Sequence, residues 1–132
     1  MNALVVDDSR VMRRLLRSLL ESVGCVVEEA DSGEDALARL AAATPPPALL
    51  LLDWNMPGMS GLDLVRTLRS DSRYAHSRIV MVTTETSVAR MTEALVQGAD
   101  EYLMKPFVRE ALLEKLRLLD LPNPSAAPAI PR

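Results

Sequence analysis

Cysteine, histidine and long apolar runs are scarce in this chain of 132 residues, and each scarcity removes a class of function. The one cysteine, Cys25, has no partner for an internal disulfide, and its flanks Gly24 and Val26-Val27 predict the start of a buried strand rather than a reactive thiol. A reducing cytoplasm is the expected setting. The one histidine, His76, lies in a polar stretch without metal-ligand companions, so it is expected to be merely exposed. No apolar run approaches the ~20 residues of a membrane span, and Asp7-Asp8 arrives after only a few apolar residues, leaving no signal-peptide core and predicting no membrane insertion. Positive charge is short as well. Fifteen Lys and Arg face eighteen Asp and Glu, a formal net charge of -3, which argues against nucleic acid as a partner.

What remains is an ordinary globular composition, 48% hydrophobic, enough for one core. The organising stretch is Leu49-Leu50-Leu51-Leu52, a wholly apolar run that predicts a strand buried on both faces and ends abruptly in Asp53. Around it, Leu4 to Val6, Cys25 to Ala30, Ile79 to Val82 and Glu101 to Met104 read as further strands. Helical spacing follows each strand. It runs through Met12, Leu15, Leu16, Leu19, Leu20 and Val23, then Ala36, Leu37, Leu40 and Ala41, then Leu64, Val65 and Leu68 with Arg66 and Arg69 outside. The last two helices are marked by Val88, Met91 and Leu95, and by Leu112, Leu113, Leu116 and Leu119. Gly24 and Gly98 act as stop signals, and Ser60 as a cap. Fivefold strand-helix alternation implies an α/β fold, a parallel sheet with helices on both faces. Residues 1-120 form the one domain; 121-132, with four of the nine prolines, is a tail or linker stub.

In such a sheet the strand ends converge. Asp7 and Asp8, Asp53, Thr83 and Lys105 all fall where strands one, three, four and five finish, along the edge where open α/β sheets expose their ligand sites. Carboxylates brought that close repel by roughly 1 to 4 kcal/mol per pair at an effective dielectric near 20, or else take up protons. A divalent cation removes the conflict, and hard oxygen ligands suit Mg²⁺, with Mn²⁺ the alternative. Lys105 offers a point charge and Thr83 a hydroxyl, both suited to phosphoryl oxygens. The set would accept a phosphoryl group on a carboxylate; it has no His or Cys nucleophile and no Walker-type glycine loop. Each residue also has a plain reading. Asp8 or Ser9 would cap the first helix, Asp53 would be a solvated turn residue, Thr83 a strand-end hydrogen bonder and Lys105 solvent-exposed. Their joint placement favours the functional reading.

These residues are carried in motifs. The acidic pair Asp7-Asp8, the stretch from Asp53-Trp54-Asn55-Met56-Pro57-Gly58 to Gly61, Met81-Val82-Thr83-Thr84-Glu85, and Gly98-Ala99-Asp100-Glu101-Tyr102 leading to Lys105-Pro106-Phe107 together resemble response-regulator receiver domains of the CheY-like type, from about Leu4 to Leu119. The resemblance implies a doubly wound sheet of five strands in order 2-1-3-4-5 flanked by five helices. It implies that Asp53 accepts a phosphoryl group from a phosphohistidine on a sensor histidine kinase or histidine phosphotransfer domain. It further implies Mg²⁺ held by Asp8, Asp53 and the backbone carbonyl of Asn55, with Asp7 acting through water, while Lys105 and Thr83 hold phosphoryl oxygens. A cis Lys105-Pro106 bond belongs to the same pattern.

Tyr102 resembles the switch aromatic that turns inward when Thr83 moves, and helix four, strand five and helix five the output surface for a downstream protein such as a flagellar motor switch. Asn55 and Glu85 match the fast-decaying chemotaxis type, while Thr84 departs from the small residue usual there. A monomer is expected. Trp54 is expected as a partly exposed cover over the acidic site, and Arg10, Arg13, Arg14 and Arg17 as the solvated face of helix one. The competing readings are a receiver cut from a DNA-binding regulator, a phosphate sink or relay, and an aspartate-nucleophile phosphatase. The last would need a second Asp two residues after the nucleophile, where Asn55 stands.

Overall fold

A computed structural model describes residues 1-119 and 121 of the chain; the expectation of a tail over 121-132 lies outside the described residues apart from Leu121. The elements are β1 (Asn2–Val6), α1 (Arg10–Glu21), β2 (Val26–Ala30), α2 (Gly33–Ala42), β3 (Leu49–Leu52), α3 (Gly61–Arg69), a 3-10 turn (Ser72–Tyr74), β4 (Arg78–Thr83), α4 (Val88–Gln97), β5 (Glu101–Met104) and α5 (Arg109–Leu118). All strand pairs are parallel, in order β2-β1-β3-β4-β5. The α/β fold and strand order are those expected.

The four leucines of β3 are wholly buried because the strand lies inside the sheet and both of its faces are covered. Alternation then divides the core. Leu4, Val6, Leu50 and Leu52 pack with Ala36, Leu40, Leu64, Val65 and Leu68 on the α2-α3-α4 side, while Ala3, Val5, Leu49 and Leu51 pack with Leu16, Leu20 and Leu112 on the α1-α5 side. Helix boundaries follow local chemistry. Ser9 caps α1, accepting from the Met12 amide, and Ser60 caps α3 in a reciprocal capping box with Asp63. Gly24 and Gly98 lie beyond the ends of α1 and α4 at φ 94° and 127°, a region that favours glycine. The Lys105–Pro106 bond is cis, as is Thr44–Pro45.

Five side-chain placements differ from the periodic reading. Leu15 is exposed, since it stands one residue, about 100°, away from the stripe of Leu16 and Leu20. Ala41 is exposed at the end of α2. In α4 Ala94 is the buried residue, leaving Val88 and Leu95 exposed, Leu95 again one position off the inward line. Arg69, expected outside with Arg66, is half-buried: its guanidinium donates to the carbonyls of Gly98, Tyr74 and Ser77 and to Asp100, at 2.7–2.9 Å. A side chain in the last turn of α3 can reach past its own helix, and a Cβ at Gly98 would lie 2.3 Å from Arg69 Cγ, so glycine also clears the path.

Candidate functional site

Parallel register brings the ends of β1 and β3 side by side: Val6 pairs with Leu52, and the amide of Asp53 donates to the Val6 carbonyl at 2.9 Å. Asp7 and Asp53 therefore emerge as neighbours. Carboxylate oxygens of Asp7, Asp8 and Asp53 lie within 4.8 Å of one another. Asp7 and Asp53 are buried, Asp8 exposed.

Lys105 follows β5 on the far side of β4 and reaches inward. Its Nζ donates to Asp7 Oδ2 at 2.7 Å and to Asp53 Oδ2 at 3.4 Å, with its side chain 12% exposed rather than solvated. Thr83, fully buried at the end of β4, accepts at its hydroxyl from the Glu85 amide, and its carbonyl accepts from the Lys105 amide. Burial pushes the Asp53 carboxyl above the usual carboxylate range; the Lys105 charge opposes this, Asp7 adds to it, and the Thr83 hydroxyl opposes it. A buried carboxylate beside two others and one cation is short of positive charge. The donor set, three carboxylates at a polar strand edge, fits a hard divalent cation such as Mg²⁺.

Asn55 lies two residues beyond Asp53 in the loop and Thr84 directly follows Thr83; both are exposed. Glu85 is half-buried: its Oε1 accepts from the Ser87 amide, and its Oε2 lies 3.7 Å from Arg90. Tyr102 is buried, with its hydroxyl donating to the Glu85 carbonyl at 2.8 Å. Its ionisation is pushed up to about 12 by burial first, then by the charges of Glu85 and Asp53. The structure therefore holds this aromatic turned in and tied to the loop that follows Thr83.

Two expectations are corrected. Trp54 is 5% exposed, packed in the apolar cluster with Met56 and Leu62, and the Arg90 guanidinium stands 5.7 Å over its ring. It faces away from solvent because the chain turns at Asp53, and Gly61 closes that turn by donating its amide to the Trp54 carbonyl at 2.8 Å. Arg13 is also not solvated. Its side chain is 15% exposed, bonded to Glu29 and to the backbone carbonyl of Asp7. Arg10 and Arg14 are exposed as expected, and Arg17 pairs with Glu21 and Glu29.

Sequence reasoning assigned no role to Gly61. A Cβ there would fall 2.1 Å from the carbonyl oxygen of Asp53, so the backbone of Asp53 itself dictates glycine. The signal was its place at the close of the Asp53 motif.

A family model for the response regulator receiver domain matches residues 3–117. The chain is 44% identical over 120 residues to chemotaxis protein CheY1 of Helicobacter pylori, covering 90% of this chain and 96% of that one. It is 41% identical over 117 residues to chemotaxis protein CheY of Pseudomonas aeruginosa, covering 88% and 93%. Among solved structures, chemotaxis protein CheY4 of Vibrio cholerae superposes with a TM-score of 0.82 at 37% identity, covering 89% of this chain and 97% of that one. No described helix is long and apolar enough to cross a membrane.

Proposed function

The chain belongs to the response regulator receiver domain family, and from that membership we propose that it is a phosphorylation switch whose acceptor is Asp53, charged by a phosphohistidine on a sensor histidine kinase or histidine phosphotransfer domain. The observation that carries the reading is the convergence of Asp7, Asp8 and Asp53 with the Lys105 ammonium at the ends of three parallel strands.

The Asp53 carboxylate attacks phosphorus; its new O–P bond forms as the P–N bond to the imidazole breaks, and the electron pair stays with the ring nitrogen. Asp53 is buried enough to exclude bulk water, yet Asp8 beside it opens to solvent, giving the donor a way in. Lys105, held only loosely to Asp53 at 3.4 Å, exchanges that contact for a phosphoryl oxygen, and the Thr83 hydroxyl turns from the Glu85 amide to another. Asp8, Asp53 and the Asn55 carbonyl would hold Mg²⁺, with Asp7 acting through water, and the bound cation supplies positive charge at the phosphoryl oxygens. Beyond this transfer and the loss of its own phosphoryl group the chain catalyses nothing.

Movement of Thr83 pulls the loop to which Tyr102 is bonded, and so reshapes the surface of α4, β5 and α5. Because the similar proteins of H. pylori and P. aeruginosa carry chemotaxis in their names, we place this switch in chemotaxis, with a flagellar motor switch as downstream target. Asn55 and Glu85 at the rim support a short-lived phosphoform.

The test is a titration with Mg²⁺ and then a small phosphodonor, followed by Trp54 fluorescence and intact mass in the wild type and Asp53→Asn. We expect a Mg²⁺ response, a donor response that decays when donor is removed, and no donor step or added phosphoryl mass in Asp53→Asn. A donor step retained in Asp53→Asn would move the acceptor elsewhere, and a phosphoform persisting for many hours would refute the short lifetime.

A further inference from the structure

Every hydrogen-bonding group of Asp7 is engaged. Its amide donates to the Ala30 carbonyl at 3.1 Å, its Oδ1 accepts from the Ser9 amide at 2.8 Å, its Oδ2 from Lys105 at 2.7 Å, and its carbonyl from Arg13 Nη1 at 2.7 Å. Two of these ties are backbone, and one, Lys105, is shared with the acceptor Asp53. The Arg13 tie is the side-chain contact that the acceptor does not share.

Arg13 is itself held in place. Its Nε donates to Glu29 Oε1 at 3.2 Å, and Glu29 is fixed in turn by Arg17 Nη1 at 3.0 Å, which anchors the guanidinium to β2. Charge-assisted donation from a half-buried, doubly engaged guanidinium is the strong and directional kind.

We infer that Arg13 is a positioning residue for cation binding: through the Asp7 carbonyl it fixes the turn from Asp7 to Ser9, and so the bearing of Asp8. The inference rests on the cation reading proposed above. The bland alternative makes Arg13 only half of an ion pair that packs α1 against β2. Arg17 provides the control, because it shares Glu29 but does not touch Asp7.

Mg²⁺ affinity is measured on the full chain by Trp54 fluorescence in the wild type, Arg13→Gln, Arg13→Lys and Arg17→Gln, together with amide exchange at Ser9 in metal-free protein. Arg13→Gln is expected to weaken Mg²⁺ binding about tenfold, the usual scale for a group that orients a metal ligand, and to speed exchange at Ser9. Arg13→Lys recovers part of both, and Arg17→Gln, which loosens only the Glu29 anchor and leaves the Asp7 carbonyl contact in place, alters both much less than Arg13→Gln. Wild-type affinity in Arg13→Gln, or an equal loss in Arg17→Gln, would overturn the inference. A wild type without any Mg²⁺ response would instead overturn the cation reading on which it stands, while unchanged Ser9 exchange in Arg13→Gln overturns the positioning role by itself.

Discussion

At Asp53 burial and the charge of Asp7 hold the carboxyl above the usual carboxylate range, against the pull of Lys105 and Thr83. The folded chain thus binds that proton more tightly than the unfolded chain, and the associated stability is full below the unfolded pKa and lost as pH rises through the folded one. Neutral pH is the costly side. In metal-free buffer Asp53→Asn is therefore expected to melt at higher temperature than the wild type near pH 7, with the gain shrinking as pH falls through the carboxylate range. Thermal melts across a pH series check this; a gain equal at every pH would trace to something other than ionisation. The sequence disclosed Asp53 because a charge directly after four leucines is conspicuous. Trp54, its neighbour, was misjudged as a partial cover, since its depth depends on how the Asp53–Gly61 turn folds back, a tertiary matter.

Between elements, Arg69 binds the end of α3 to the turn at Tyr74 and to the segment joining α4 and β5. Removing its guanidinium takes a donor from the carbonyls of Gly98, Tyr74 and Ser77 and from Asp100, of which Tyr74 keeps the Ser77 amide and Asp100 the Ile79 amide. Arg69→Met is expected to cost about 2–3 kcal/mol, read as a lower urea midpoint with unchanged slope. Arg66→Met is expected to stay within about 0.5 kcal/mol, because Arg66 is exposed and, among the described residues, its guanidinium pairs with Asp63 alone, at 3.7 Å. A 3.6-residue period treats these two arginines alike, three positions apart. It reports where a Cα lies on a helix and not how far a long side chain travels, which is why the helix was legible and its clip was not. The same limit explains Val88 and Leu95: α4 needs only Ala94 and the half-buried Met91 to seat itself, so apolar residues beside them are left outside.

For the molecule as a whole, the acidic edge is legible because parallel alternation forces every strand end to one side, whereas the strand order follows from the family resemblance and not from alternation. A cation that binds only the folded chain must stabilise all of it. At a hundred times its Kd, Mg²⁺ is expected to add about 2.7 kcal/mol, roughly 10 °C in Tm for a domain of this size, reversed by a chelator; differential scanning calorimetry with and without Mg²⁺ measures it, and equal melting temperatures would count against a site at the acidic edge. The ion pair between Asp7 and Lys105 spans 98 positions of sequence. On a ribosome the first half of this pair emerges long before the second, and β1 must wait for β3 to gain its other neighbour. A nascent chain thus carries Asp7 and Asp53 long before Lys105 joins them, so the charge set at this strand edge is complete only once β5 has emerged and paired with β4.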